Sequence, residues 1–256
     1  MKSEQCGEHP DFLASLPWYD VAATRASLDY FWSVLRRELE ESGVHELPRD
    51  LDRTTPLRDQ WRRPGLIVSQ CCGLDLFTSA AQSLLPIARP VFSDVDSQPG
   101  RYFSHIVAAG KLDGQPRRAV VNSASSRTGC AALLEWATER GWLNLEVVIS
   151  GSHNESLRYL RDDLADFAAI DAHSWNLLDT SGISIIGRGS DALAPPFVTH
   201  RACSVSPAIT LQALTRAVEE AGELIGMHGV MPASLDDYQP LSQQILSLER
   251  YQSSAG

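Results

Sequence analysis

No apolar run in the 256 residues approaches the roughly 20 residues that a membrane-spanning helix needs, so insertion into a membrane is not expected. The chain also lacks internal repeats and low-complexity tracts. A hydrophobic fraction of 43% against 21% charged residues excludes a disordered polymer and leaves an ordinary globular protein. Positive charge is in deficit: 22 Lys+Arg against 32 Asp+Glu give a formal net charge of −10. That balance disfavours binding to nucleic acid or anionic lipid through a general electrostatic field. An anionic ligand would need a local site of fixed dipoles. The five cysteines, Cys6, Cys71, Cys72, Cys130 and Cys203, are odd in number and show no C-x-x-C spacing. Neither a disulfide framework nor a zinc site is indicated, and no cofactor is expected. Vicinal Cys71 and Cys72 read as small buried residues at a strand end, against the alternatives of a redox pair or a nucleophile. The N-terminus has no apolar core of a Sec-type signal peptide. The chain therefore reads as cytoplasmic as it stands, and as periplasmic if its start site omits an export signal.

The length allows one large domain or two lobes of about 100 to 150 residues each. Residues 13–19 form a short apolar segment, followed by Asp20 as a helix cap and a stripe of Leu28, Phe31, Leu35 and Leu39 that Gly43 would end. Residues 45–63 are polar, then Pro64-Gly65 introduces a strand at 66–69, so the first ninety residues read β, α, β, α. Further strands are expected at 85–92 and, after the turn Gln98-Pro99-Gly100, at 102–109. From Arg117 the order is strand, loop, helix ending at Gly141, strand 145–149, helix, strand 167–170, a helix near Trp175 and a strand at 183–186. Ser152 and Glu155 have the spacing of a capping box, with Leu157, Leu160 and Leu164 following at helical intervals. Pro195-Pro196 marks a crossing point. Ser206-Pro207 opens a helix striped by Leu211, Leu214, Val218, Ala221 and Ile225, with Gly226 as its stop and one more helix at 241–251.

Residues 119–136, AVVNSASSRTGCAALLEW, carry the most chemistry. An apolar run feeds a loop of Ser, Thr and Gly, and an apolar pattern with helical spacing follows. A helix start leaves backbone N–H groups without intrahelical partners and carries partial positive charge, so it suits a tetrahedral anion. Ser125, Ser126 and Thr128 supply hydroxyl donors, and Gly129 leaves room for approach. The same residues also suit an ordinary helix cap. The loop has neither the P-loop pattern nor G-x-G-x-x-G, which argues against nucleotides. Arg127 is its lone cation, and the side chain is expected to point out of the loop. Three loops fall at the ends of predicted strands: SQCCGL, NSASSRTG and SGSHNES. Ligands of open α/β sheets bind beyond such strand ends. His153 could donate from its ring to an anion, and Asp171 could accept from a ligand or cap the helix near Ser174.

The succession SQCCGLDL, YFSHIVA, VVNSASSRTGCAAL, SGSHNESLRYLRDDLADFAAIDAHSW and PPFVT resembles the phosphate/phosphonate-type substrate-binding components of ABC importers, which have the type II periplasmic-binding-protein fold. The similarity runs in order over residues 16–199. It implies an α/β protein of two lobes joined by two crossing strands, with lobe 1 formed by 1–103 and 198–256 and lobe 2 by 104–197. It also implies a cleft that clamps a small oxyanion, and an ABC permease as partner. Binding roles then fall on Ser125, Ser126, Thr128 and Gly129 at the helix start, on His153 in the G-S-H motif, and on Asp171 closing the next strand. Tyr102, opening the Y-x-S segment, and Tyr19, after the first strand, complete the set. The alternative is a cytoplasmic enzyme or a ligand sensor on the same scaffold, with His153 as general base, Asp171 as its partner and Cys71 or Cys72 as a more distant nucleophile.

Overall fold

The computed structural model describes residues 11–112 and 114–243. Cys6 and most of the helix expected at 241–251 lie outside them. The first part of the chain gives β1 (Leu13–Ala14), α1 (Arg25–Glu41), α2 (Leu57–Gln60), β2 (Leu66–Gln70), β3 (Leu84–Phe92) and β4 (Arg101–Tyr102). There follow β5 (Ser104–Ala108), β6 (Arg118–Val121), α3 (Ala132–Thr138), β7 (Glu146–Ile149), α4 (His153–Arg161), β8 (Phe167–Asp171) and α5 (Ala172–Leu177). The last part gives β9 (Ser184–Arg188), β10 (Ala192–Leu193), β11 (Phe197–His200), α6 (Pro207–Ala221), β12 (Met227–Pro232) and α7 (Leu235–Tyr238).

Two five-stranded sheets divide these strands, in the orders β1-β2-β11-β3-β12 and β7-β6-β8-β5-β9. The result is a two-lobed α/β protein. The chain leaves the first sheet after β3 and returns to it at β11. On these two passages β4 and β10 pair antiparallel, with Ala192 opposite Tyr102 and Leu193 opposite Arg101. Further backbone bonds tie the passages together, from Gly189 N–H to Ser104 O at 2.8 Å and from Ala194 N–H to Gly100 O at 3.0 Å.

Alternation of side chains explains why the second sheet is covered on both faces. Ile106, Ala119, Val121, Phe167 and Ala169 pack on one face with Leu133 and Trp136 of α3. Val107, Val120, Ala168 and Ile170 pack on the other with Leu157 and Leu160 of α4. On the first sheet, the predicted stripe Leu28, Phe31, Leu35 and Leu39 of α1 is buried together with Leu214, Val218 and Ala221 of α6. Each Val, Leu, Ile or Phe among them contributes about 1.5–3 kcal/mol relative to exposure.

Several expectations are corrected. Asp20 does not cap α1, which starts after Thr24; the Asp20 carboxylate instead holds Arg53 at 2.5 Å and Arg25 at 3.4 Å. The second helix expected before residue 90 is only a short 3-10 turn, Asp75–Phe77. The strand expected at 102–109 is broken at Phe103 into β4 and β5, because its two halves serve different sheets. The regular part of α6 ends at Ala221, and a 3-10 turn, Gly222–Ile225, carries the chain to Gly226. The strand β12 was not foreseen.

Near the C-terminal end, α7 closes onto the crossing passages. Its Tyr238 is fully buried, and the ring lies so close to Gly73 that a Cβ there would approach it to 2.8 Å. The Tyr238 hydroxyl donates to Ala194 O at 2.7 Å. Tyr238→Phe is expected to lower stability by about 1 kcal/mol in urea unfolding, with the slope unchanged. A variant as stable as the parent would show that this bond does not pin the passage.

Candidate ligand-binding cleft

A cavity of about 740 Å³ opens where the loops after β1, β2, β6 and β7 meet the end of β8. Residues of both sheets' loops line it, including Tyr19, Asp75, Asn122, Ser125, His153 and Asp171. Of the residues singled out from sequence, Tyr19, Tyr102, Ser125, Ser126, Thr128, His153 and Asp171 all line this one cavity. Gly129 does not. A Cβ at Gly129 would sit 2.0 Å from Asn122 Oδ1 and 2.8 Å from Ser126 Oγ. Its missing side chain makes room for the loop's own packing rather than for a ligand.

The hydroxyl loop is held from several sides. Ser126 caps the helix, its Oγ accepting from Gly129 N–H at 2.8 Å. One wide π-type turn, Arg127–Ala131, precedes α3. Cys72 Sγ accepts from Arg127 N–H at 3.2 Å. The Thr128 N–H lies between these two donors in sequence, and neither acceptor serves it. Thr128 Oγ1 donates to the Tyr102 hydroxyl at 3.2 Å, and Thr128 O accepts from Ser104 Oγ. Ser125 Oγ donates to Asp75 Oδ1 at 2.9 Å, while Cys72 N–H donates to Asp75 Oδ2 at 3.1 Å. All three predicted hydroxyls therefore already have protein partners. Arg127 does not extend into solvent: it is 6% exposed and bonds Glu135 and Ser190, each at 3.0 Å.

Across the cavity, the start of α4 presents His153. Ser152 caps this helix by accepting from Glu155 N–H at 3.1 Å, and Glu155 turns to Arg158 at 2.9 Å. The His153 Nε2 lies 3.0 Å from Asp171 Oδ2, and Asp171 Oδ1 accepts from Ser174 N–H at 2.9 Å. Asp171 is thus both a helix cap and the partner of His153. With Nε2 committed, Nδ1 accepts a hydrogen bond in the neutral ring and donates one in the imidazolium. That Nδ1 is buried and unpartnered, as are Tyr19 Oη, Asn122 Oδ1 and Trp61 Nε1. All four belong to residues lining the cavity. Buried polar atoms are normally paired, so together they describe what a ligand would satisfy. Tyr19 has a positive φ of 70°, and its ring meets His173 edge-on at 4.4 Å. His173 Nδ1 in turn bonds Asp94 just beyond β3, at 2.8 Å.

No family model matches the sequence, and no curated protein matches it. Solved structures do match. A binding-protein component of an ABC phosphonate transporter from Pseudomonas aeruginosa aligns with a TM-score of 0.71 at 12% identity, over 97% of this chain and 90% of that one. PhnD1 from Prochlorococcus marinus, in complex with methylphosphonate, gives a TM-score of 0.66 at 14% identity over 96% and 99%. A Xanthomonas citri protein bound to ATP gives 0.62 at 12% identity over 93% and 98%. The fold is that of the two-lobed periplasmic binding proteins. The two-lobed α/β fold implied by the sequence resemblance is therefore correct, and identities this low speak for the fold alone.

Asp75, Asn122, Trp61 and His173 were missed from sequence. Asp75 stood in the quoted SQCCGLDL segment, three residues after the thiol that drew attention. Those thiols are poor nucleophiles: burial, and then the Asp75 charge, push Cys72 up to about 12 and Cys71 well above its usual range. The two cleft carboxylates are tuned in opposite directions. Burial raises the Asp75 carboxyl above its ordinary value, only partly countered by Ser125, Cys72 N–H and Arg58. Burial also opposes ionisation of Asp171, but hydrogen bonds from His153 and Ser174 win and hold its pKa below the ordinary value.

A carboxyl with a lowered folded pKa stabilises the fold above its unfolded value of about 3.9, and that contribution fades as pH falls through the folded pKa. Asp171→Asn is thus expected to cost about 1–3 kcal/mol at pH 7, with the deficit shrinking below about pH 4. A raised pKa acts the other way: its contribution is present below about 3.9 and lost as pH rises through the folded pKa. The stability of Asp75→Asn relative to the parent is expected to rise as pH increases above about 3.9, the unfolded value. Thermal melts across pH check both, and a flat or reversed trend for either variant contradicts the assignment.

Proposed function

We propose that the protein is a non-catalytic binding protein that closes two lobes on a small oxyanion of phosphate or phosphonate type. Lobe 1 comprises 1–103 and 198–256, and lobe 2 comprises 104–197. The observation that carries this reading is the convergence, in one cavity, of the Ser125–Thr128 helix start with the unpartnered His153 Nδ1. The helix start offers hydroxyls and a backbone N–H without a fixed cation. His153, its Nε2 held by the Asp171 carboxylate, adds an Nδ1 that accepts from a P–OH in the neutral ring and donates to a P–O⁻ in the imidazolium. The fold neighbours named for phosphonate transport and solved with methylphosphonate support the same ligand class. An ABC permease is the corresponding partner.

Asp75 sets a condition on the ligand. Its carboxylate receives the Ser125 proton, so an oxyanion at Ser125 must either bring a proton to share or meet a protonated Asp75. A monoprotonated phosphonate can do so; a sulfonate has no proton to give.

A second reading, an enzyme on the same scaffold, draws on the His153–Asp171 pair, because a neutral imidazole with Nε2 held and Nδ1 free has the form of a general base. Following methylphosphonate by phosphorus NMR separates the two: an unchanged ligand supports binding, and a product that disappears with His153→Ala supports catalysis.

Methylphosphonate at about a hundredfold excess over its dissociation constant is expected to stabilise the fold by about 2.7 kcal/mol, and methanesulfonate to bind at least about tenfold more weakly. Ser126→Asp is expected to abolish methylphosphonate binding, because a carboxylate in the anchor repels the ligand. Its stability should stay within about 0.5 kcal/mol of the parent, since Asp caps a helix as well as Ser. Calorimetry and melting on the same samples decide this. A variant that binds as tightly as the parent places the site elsewhere.

A further inference from the structure

We infer that the ligand carries a ring-bearing organic group, making it an aryl or heteroaryl phosphonate or phosphate monoester, with the ring seated against Trp18 beside the anchor. This rests on the oxyanion reading and specifies its organic part. The cavity has room for more than an oxyanion. The cavity of about 740 Å³ lies within the range of about 300–1,000 Å³ typical of sites for organic ligands. Liquid water takes about 30 Å³ per molecule, so a bare oxyanion of about five heavy atoms leaves most of the cavity unfilled.

The cavity wall changes character away from the anchor. Beside the hydroxyl loop, the lining turns apolar, with Trp18, Leu57, Trp61, Leu177 and Leu178. A phosphate has no use for such a surface. Trp18 and Leu57 pack, only partly buried, against the core cluster that contains Trp61. Among the described residues, the ring–ring contacts of tryptophans involve Trp136, Trp142 and Trp175, not Trp18 or Trp61. The Trp18 indole, half-buried and free of aromatic partners, suits a planar ring, which stacks or packs edge-on with little loss of rotamer freedom. A flexible alkyl chain would lose more.

The test is calorimetry on the full chain with three probes: methylphosphonate, n-butylphosphonate and phenylphosphonate. Phenylphosphonate is expected to bind about tenfold more tightly than methylphosphonate, from burial of the ring alone, and more tightly than n-butylphosphonate. Trp18→Ala, at a half-buried position, is expected to shrink the phenyl-to-methyl ratio to about twofold or less. Methylphosphonate binding as well as phenylphosphonate overturns the inference while leaving the oxyanion reading intact. Butyl binding as well as phenyl, or a ratio that survives Trp18→Ala, overturns the ring assignment in the same way. Binding of none of the three overturns the oxyanion reading and this inference with it.

Discussion

One buried carboxylate holds the geometry of the cleft. Asp171, 4% exposed at the end of β8, accepts from the first turn of α5 with one oxygen and from His153 at the start of α4 with the other. A charge taken out of water is costly unless its hydrogen bonds are well made, and these bonds are good enough to keep the group ionised. Two helix starts are thereby fixed to one strand end. The constraint extends to the other sheet through the neighbouring His173, whose ring stacks on Phe92 at 4.6 Å and bonds Asp94. Asn176, one turn further along α5, donates to Asp94 as well, at 2.9 Å to the carbonyl and 3.0 Å to the carboxylate.

The hydroxyl loop is built on a different logic. Its hydroxyls are not idle donors awaiting an anion, because Ser125, Ser126 and Thr128 are bonded to Asp75, Gly129 N–H and Tyr102. In the proposed reading, ligand capture is therefore an exchange of hydrogen bonds, and its net free energy is a difference between similar quantities rather than a sum of new contacts. Asp75, bonded to Ser125, would be the ligand's internal competitor. In a chain with a net charge of −10, such a carboxylate beside the anchor would limit which anions enter, while the local dipoles and His153 would provide the attraction.

Legibility followed locality. The loop after β6 could be read because strand, hydroxyls and helical pattern are contiguous, and Ser152 and Asp171 cap their helices through residues three positions on. The strand β12 could not be read, because Met227–Pro232 contains Gly229 and Pro232 and owes its form to pairing with β3. The helix expected after β2 failed for a related reason. There the chain must turn sharply at Asp75–Phe77 and reach β3 within a few residues. Asp75 and His173 acquire their roles from residues far away in sequence, Ser125 and Asp94, and no local pattern announces such partners. Tyr102 and Tyr19 entered only through the resemblance, and burial explains why spacing alone did not mark them.

The central claim is that an oxyanion sits between the hydroxyl loop and His153 inside this cavity, and a crystal structure of the protein with methylphosphonate tests it most directly. The account predicts phosphonate density between the Ser125–Thr128 segment and His153, with an oxygen about 2.7–3.2 Å from His153 Nδ1 and the Ser125 hydroxyl turned from Asp75 to the ligand. Density outside the cavity, or a ligand inside it with Ser125 still on Asp75 and Nδ1 still unpartnered, would contradict it.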